Sequence, residues 1–271
     1  ANMIRFIATD LDGTLLDNER RLPDEIFDVV TELDRYGVLF APASGRQYAN
    51  LVNLFAPVAD KCMFLCENGA LVKYKGQTLY LNPIPDGEIV RALDEIRAIP
   101  HLYPMLCGPE NAYVESNEQP FYGLAAHSYT NCVLTDNLNG VIGKEKICKI
   151  AVFDELGSAV NCIKKLPPRL SGLRIILSGA DWCDVSAPNA DKGAAVRFLR
   201  ETFAIKREEC VAFGDHMNDY EMLTECGTAY VTENAYPPLK KMIRNTVPSN
   251  REGGVIRKIK EILRTVREER A

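Results

Sequence analysis

Four short polar segments, far apart in the chain, hold the residues best suited to chemistry. In FIATDLDGTLLD, Asp10 and Asp12 stand two residues apart where an apolar run ends. An extended backbone alternates its side chains, so both carboxylates point the same way. Crowded carboxylates repel unless a cation or a shared proton compensates. The pair therefore suits a hard-metal site or an acid/base pair, and Gly13 permits a sharp turn straight after it. Taken alone, a solvated acidic turn is the plain alternative. A calcium loop also starts D-x-D, but it needs glycine at its sixth position, where Leu15 stands.

The second segment is APASGR. Ser44 and Gly45 close another apolar run, where a hydroxyl and backbone N–H groups can cradle an anion, and Arg46 adds positive charge. By itself this is a weak motif, because Ser-Gly turns are common in ordinary loops. In the third segment, NADKG, Lys192 opens a helix against the helix dipole. That placement makes sense if the lysine serves an anion that also uses the helix's free N–H groups; otherwise it is a surface lysine. In the fourth, VAFGDHMND, an apolar strand ends at Gly214–Asp215, and Asn218 and Asp219 fall in the next helix's first turn. His216 has no evident orienting partner, so contact with substrate or neighbouring groups is favoured over general-base work.

Together the segments are far more specific than any one. Each falls at the predicted carboxyl end of a strand or just beyond it. Their inventory is carboxylates, one lysine, one serine and glycine turns. Oxygen-only ligands favour a hard ion such as Mg²⁺. With a lysine and a hydroxyl, such a set can neutralise a transferring phosphoryl group. On these residues the chain resembles the haloacid dehalogenase superfamily, and within it the Cof-type phosphatases with a type IIB cap. DLDGT at 10–14 and GDHMND at 214–219 carry the resemblance; SGR at 44–46 and DKG at 191–193 agree in order and spacing. ENGA at 67–70 and SNREGGV at 249–255 also look like recurring loops of this subfamily.

The resemblance implies a nucleophilic Asp10 that forms an aspartyl phosphate. It implies that Asp12 protonates the leaving oxygen and later activates water, its backbone carbonyl binding Mg²⁺. Asp10 and Asp215 become carboxylate ligands, and Asp219, helped by Asn218, steadies metal-bound water or its neighbours. Ser44 and Lys192 bind the phosphoryl group, together with Gly45, Arg46 and Asn218. Asn189 stands where such proteins often place a substrate contact. A dehalogenase would need the nucleophile but not the second acid, so Asp12 argues for phosphoryl transfer. A phosphomutase or phosphotransferase would share all four segments. A phosphate-binding protein without turnover would be expected to have lost Asp10 or Asp12.

These residues need a scaffold that gathers strand ends. MIRFIATD, VLFAPASGR, KCMFLCENGA, ECVAFGD and TAYV read as strands, alternating with helices such as LPDEIFDVVTELDRYG, where Leu22, Ile26, Val29, Val30 and Leu33 recur at helical spacing. Such alternation predicts an α/β fold: a Rossmann-like parallel sheet with helices on both faces and ligands outside the strands' carboxyl ends. The texture changes near Asn82. A discontinuous core at 1–83 and 187–271 is predicted, with an inserted α/β cap domain (the C2B type of the resemblance) at 84–186. The stretch 101–140 shows no clear periodicity. His127, Tyr129 and Tyr122 are its candidate substrate contacts, against a plainer packing role. A cap that closes over the core and sheds water predicts small metabolites rather than phosphoproteins as substrates.

Composition sets the outer bounds. A chain of 271 residues with net charge -5 has nothing that draws it toward nucleic acid or anionic lipid. No apolar run approaches the roughly 20 residues that span a bilayer, which excludes a membrane pump of the same chemistry. Nine scattered cysteines, an odd number, and an N-terminus too soon acidic for a signal peptide point to reduced thiols in a cytoplasm. Cys62 and Cys66 lack a second pair at matching spacing, so structural zinc is not expected. The expected partner is a small phosphorylated metabolite, and a monomer is the default, or a weak homo-oligomer.

Overall fold

Apolar runs that end on polar residues form the strands that position the site. The computed structural model describes residues 3–271. In chain order the strands begin with Phe6–Asp10 (β1), Leu39–Ala43 (β2), Met63–Cys66 (β3), Leu71–Tyr74 (β4) and Gln77–Leu81 (β5). Leu102–Cys107 (β6), Ala112–Val114 (β7), Cys132–Leu134 (β8), Lys149–Asp154 (β9), Arg174–Gly179 (β10) and Trp182–Ser186 (β11) follow. The series closes with Cys210–Gly214 (β12), Thr228–Thr232 (β13) and Asn245–Val247 (β14). Contacts group the chain into two units. One takes the chain through Ser44, then Val52–Tyr80 and Asp191–Ala271; the other takes Gly45–Leu51 and Leu81–Ala190.

The first unit is built on a sheet of order β14-β13-β12-β1-β2-β3-β4-β5. Pairing is parallel from β14 to β3, and β4 then runs antiparallel against β3. Strand β1 is buried along its whole length, as expected where helices cover both faces of a parallel sheet. Alternate residues confirm the two faces. Phe6, Ala8, Ala41, Ala43, Cys210 and Ala212 share one core with Ala195, Val196 and Leu199, while Phe40 packs with Phe55, and Phe55 with Phe64.

The helices, also in chain order, are Ile26–Arg35 (α1), Tyr48–Leu54 (α2), Asp86–Arg97 (α3), Phe121–Ser128 (α4), Cys162–Lys165 (α5), Lys192–Thr202 (α6), Tyr220–Glu225 (α7), Pro237–Met242 (α8) and Gly254–Glu269 (α9). Helix α1 buries Ile26, Val29, Val30 and Leu33, each worth roughly 1.5–3 kcal/mol. Leu22 lies ahead of the helix, which starts only after Pro23. The β4–β5 hairpin, which hydropathy does not announce, turns at Lys75–Gly76 with both φ positive, 51° and 76°. That is the primed turn whose twist suits a two-residue hairpin.

The second unit holds a sheet of order β10-β11-β9-β6-β7-β8. It is antiparallel except where β7 meets β8. Residues 101–140, whose sequence shows no clear periodicity, supply three of its strands and α4. Short strands interrupted by turns carry too few residues for periodicity to accumulate. Tyr129 is buried with Phe121 and Phe153 in one of this unit's two cores, Tyr122 is half-buried, and His127 is exposed.

The sequence reading kept 45–51 with the core, whereas these residues group with the second unit. Lys149 Nζ donates to Gly45 O at 2.7 Å, and Thr130 N donates to Gln47 Oε1 at 3.2 Å. Neither contact is a property of local sequence. Among the described residues, no helix is long and apolar enough to cross a membrane.

Candidate active site

Strand order explains why distant acids meet. From β1 the chain runs outward through β2 and β3, then returns to build β12, β13 and β14 on β1's other side. The ends of β1 and β12 therefore flank the point where the order reverses, the usual place for a ligand site in such sheets. Asp10 is the last residue of β1, and Asp215 directly follows β12. Ser44 directly follows β2, whose Ala43 pairs with Asp10, and it is 3% exposed.

Asp10, Asp215 and Asp219 each offer a carboxylate oxygen within 4.8 Å of the others. Lys192 joins two of them, donating to Asp10 Oδ1 at 2.8 Å and to Asp219 Oδ1 at 2.7 Å. Its side chain is 1% exposed, so a surface lysine is ruled out. Asp219 spends its other oxygen on the backbone, accepting from Asp215 N at 3.0 Å and His216 N at 3.3 Å. The Thr14 hydroxyl donates to Asp215 Oδ1 at 2.9 Å and lies 3.3 Å from Asp10 Oδ2. Thr14 sits within the DLDGT motif, four residues after Asp10, yet its side chain received no role from the sequence.

Burial dominates the electrostatics. It raises the Asp10 pKa to about 7; the Asp215 charge adds to the rise and Lys192 opposes it. Burial and the Asp10 charge likewise bring Asp219 to about 6. Burial raises Asp215 as well, against the Thr14 donor and Lys192. For Lys192 burial works against the ammonium, but the Asp10 and Asp219 charges outweigh it and hold the lysine protonated. Three acids facing one buried cation leave negative charge uncompensated.

Two glycines make the approach possible. The turn after β1 closes with Leu16 N donating to Leu11 O at 2.9 Å, and Gly13 takes φ +78° within it. A Cβ at Gly13 would come within 2.2 Å of Asp215 Oδ2. Farther along, Glu67, Asn68 and Gly69 all have positive φ. A Cβ on Gly69 would lie 2.5 Å from Asp191 O, so this loop packs directly on the start of α6 that presents Lys192. Asp191 caps that helix by accepting from Ala194 N at 2.8 Å.

Asp12 is exposed on the turn after β1, and Asn218 is half-buried on the short turn that leads into α7. Gly45, Arg46 and Asn189 fall in the second unit. Arg46 donates to Asn50 Oδ1 at 3.1 Å, and the exposed Asn189 accepts from Asn82 Nδ2 at 3.1 Å. His216 is exposed and stacks on Tyr236 with ring centroids 4.7 Å apart. Sequence reasoning gave no role to Asn234 or to Asn250, which grip the turn after β1. Asn250 lies in the SNREGGV segment, while Asn234 carries no sequence signal.

A family model of haloacid dehalogenase-like hydrolases matches residues 7–259. A 5-amino-6-(5-phospho-D-ribitylamino)uracil phosphatase of Escherichia coli is 26% identical over 264 residues, covering 96% of this chain and 97% of the relative. An HMP-PP phosphatase of Cronobacter sakazakii is 29% identical over 245 residues, covering 88% and 87%. Among solved structures, a Streptococcus mutans protein shares the fold with a TM-score of 0.86 at 24% identity, over 96% of this chain and 99% of that one.

Proposed function

The chain belongs to the haloacid dehalogenase-like hydrolase family, and from that premise we propose that it is a magnesium-dependent phosphatase of small phosphorylated metabolites with Asp10 as nucleophile. The observation that carries this reading is the buried Lys192 held between Asp10 and Asp219, with Asp215 beside them. A lysine so placed compensates part of the acid charge and faces the incoming phosphoryl group.

The donor set fits a hard divalent ion. All three groups offer oxygen, and burial, with repulsion between neighbouring carboxylates, raises their pKa values against the one lysine. Asp10 and Asp215 would hold Mg²⁺ with the backbone carbonyl of Asp12, and Asp219 and Asn218 would orient the neighbouring groups. When bound, the ion neutralises charge on the phosphoryl oxygens. Asp10 attacks phosphorus, and the bond from phosphorus to the leaving oxygen breaks. That oxygen takes its proton from Asp12, releasing an alcohol. Water then attacks the phosphorus of the aspartyl phosphate and gives a proton to Asp12. The bond to Asp10 breaks, and inorganic phosphate leaves. Ser44 and Lys192 bind the phosphoryl oxygens. Gly45, Arg46 and Asn189 keep phosphate and substrate roles on motif grounds alone.

A panel of phosphorylated metabolites, assayed for inorganic phosphate with Mg²⁺ and with a chelator, tests this reading. It should include the phosphoribitylamino-uracil that the Escherichia coli relative is named for. Metal-dependent release from small esters is expected. Transfer of the phosphoryl group to an added hydroxyl in place of water would overturn hydrolysis.

Metal binding also has a pH signature. Between the ordinary value of 3.8 and about 7, folded Asp10 keeps a proton that the unfolded chain has lost. The metal-free fold therefore loses stability through this group as pH rises over that window. A cation that replaces the proton should raise the melting temperature more at pH 8 than at pH 5.5. At a hundredfold excess over Kd the gain at pH 8 should be about 2.7 kcal/mol. Equal shifts at both pH values in a Mg²⁺ titration would count against the assigned ligands.

A further inference from the structure

Asp12 has to point its carboxyl at a leaving oxygen, yet it is exposed on a turn rather than held inside a strand. Two asparagines from the far end of the chain grip that turn. Asn234, just past β13, donates its Nδ2 to Gly13 O at 2.9 Å. Asn250, just past β14, donates its Nδ2 to Leu16 O at 3.0 Å and to Asn18 Oδ1 at 3.0 Å. The two are linked, since Asn250 N donates to Asn234 Oδ1 at 3.1 Å. Asn250 is 6% exposed, so its donors are committed inside the protein.

The carbonyls they take are at functional points. Gly13 O belongs to the residue directly after Asp12, and Leu16 O comes from the residue whose N–H closes the turn on Leu11 O. Between them stands Thr14, which donates to Asp215. A turn with glycine at φ +78° has a backbone path that few local preferences enforce, so contacts from outside add to its own closing bond in defining it. We infer that Asn234 and Asn250 form an amide clamp that positions Asp12 for proton donation to the leaving oxygen. They are positioning residues, and the inference rests on the phosphatase reading above.

The clamp predicts a dependence on leaving group. An alkyl phosphate needs its leaving oxygen protonated as the bond to phosphorus breaks, whereas a nitrophenyl phosphate departs as a stabilised anion. The ratio kcat/KM reports only events up to the first irreversible step, the transfer to Asp10, so later water activation does not enter it. In Asn234→Ala and Asn250→Ala, kcat/KM for an alkyl phosphate should fall about 10- to 100-fold. For para-nitrophenyl phosphate the fall should be at least tenfold smaller than for the alkyl ester.

A purely structural role would lower both substrates together. Equal losses, or none, in Asn234→Ala would overturn the clamp. If Asn250→Ala does not fold, Asn234→Ala decides alone, because its side chain is exposed. Wild-type protein that hydrolyses neither ester with Mg²⁺ would overturn the phosphatase reading, and the clamp with it. Wild-type activity with an unchanged ester ratio in the variants would overturn the clamp only.

Discussion

Asp10→Asn should reduce kcat for phosphate release by about 10⁴-fold or more, while the circular dichroism spectrum stays that of the wild type. The amide is nearly isosteric with the carboxylate, so the packing around this 8% exposed residue survives. What disappears is the anionic oxygen that must bond to phosphorus. The Lys192 ion pair at 2.8 Å is also lost, yet Lys192 keeps Asp219 at 2.7 Å and remains protonated. Mass spectrometry of acid-quenched enzyme sharpens the result. Wild type should show a phosphoryl adduct on Asp10, and Asp10→Asn should show none. Asp12→Asn should prolong the adduct with an activated aryl ester, because water is left without its base. Turnover by Asp10→Asn within tenfold of wild type would remove Asp10 from the nucleophile role.

Lys192→Met carries the second large effect, on stability as well as rate. Methionine fills much of the lysine's volume but leaves Asp10 and Asp219 facing each other in a buried site without their cation. Breaking a buried ion pair from one side costs roughly 3–5 kcal/mol. Losing the charge that meets the phosphoryl group should lower kcat by about 10²–10³-fold. The pH dependence has a definite sign. Without Lys192, burial and mutual repulsion raise both acids further above their ordinary values. The variant's deficit should then be larger at pH 8, where the unfolded chain has lost both protons and the folded site resists losing them, than at pH 5.5, where protons compensate. Chemical denaturation at the two pH values checks this, with and without Mg²⁺. A deficit independent of pH would mean that Lys192 acts by packing alone.

Much of the site was legible because its chemistry is written in short motifs at strand ends. Asp10 and Asp215 were read from acids closing apolar runs and Asp219 from the first turn of the next helix, and the structure brings carboxylate oxygens of all three within 4.8 Å of one another. Lys192 was found from an anomaly, a cation at a helix start. What no periodicity could show was its burial, which makes the difference between a solvated lysine and one that controls two carboxylates. Thr14 was in view within its motif, but its bond to Asp215 spans 201 residues and depends on β1 lying beside β12. Asn234 and Asn250 were out of reach for the same reason: an asparagine in a polar loop looks alike whether it faces water or grips a distant carbonyl. The segment 45–51 shows the limit for domain boundaries, because it groups with the second unit through contacts with residues far along the chain, Lys149 and Thr130 among them.

Local residue types and their order thus determined the α/β class, the alternation of strands and helices, and the inventory of acids around Asp10. Hydrophobic spacing and turn chemistry act over a few residues and survive in any context. Tertiary structure alone decided which acids gather around Lys192, that burial raises their pKa values, and which distant side chains bond the turn that carries Asp12. Those depend on burial and on contacts between ends of the chain more than 200 residues apart.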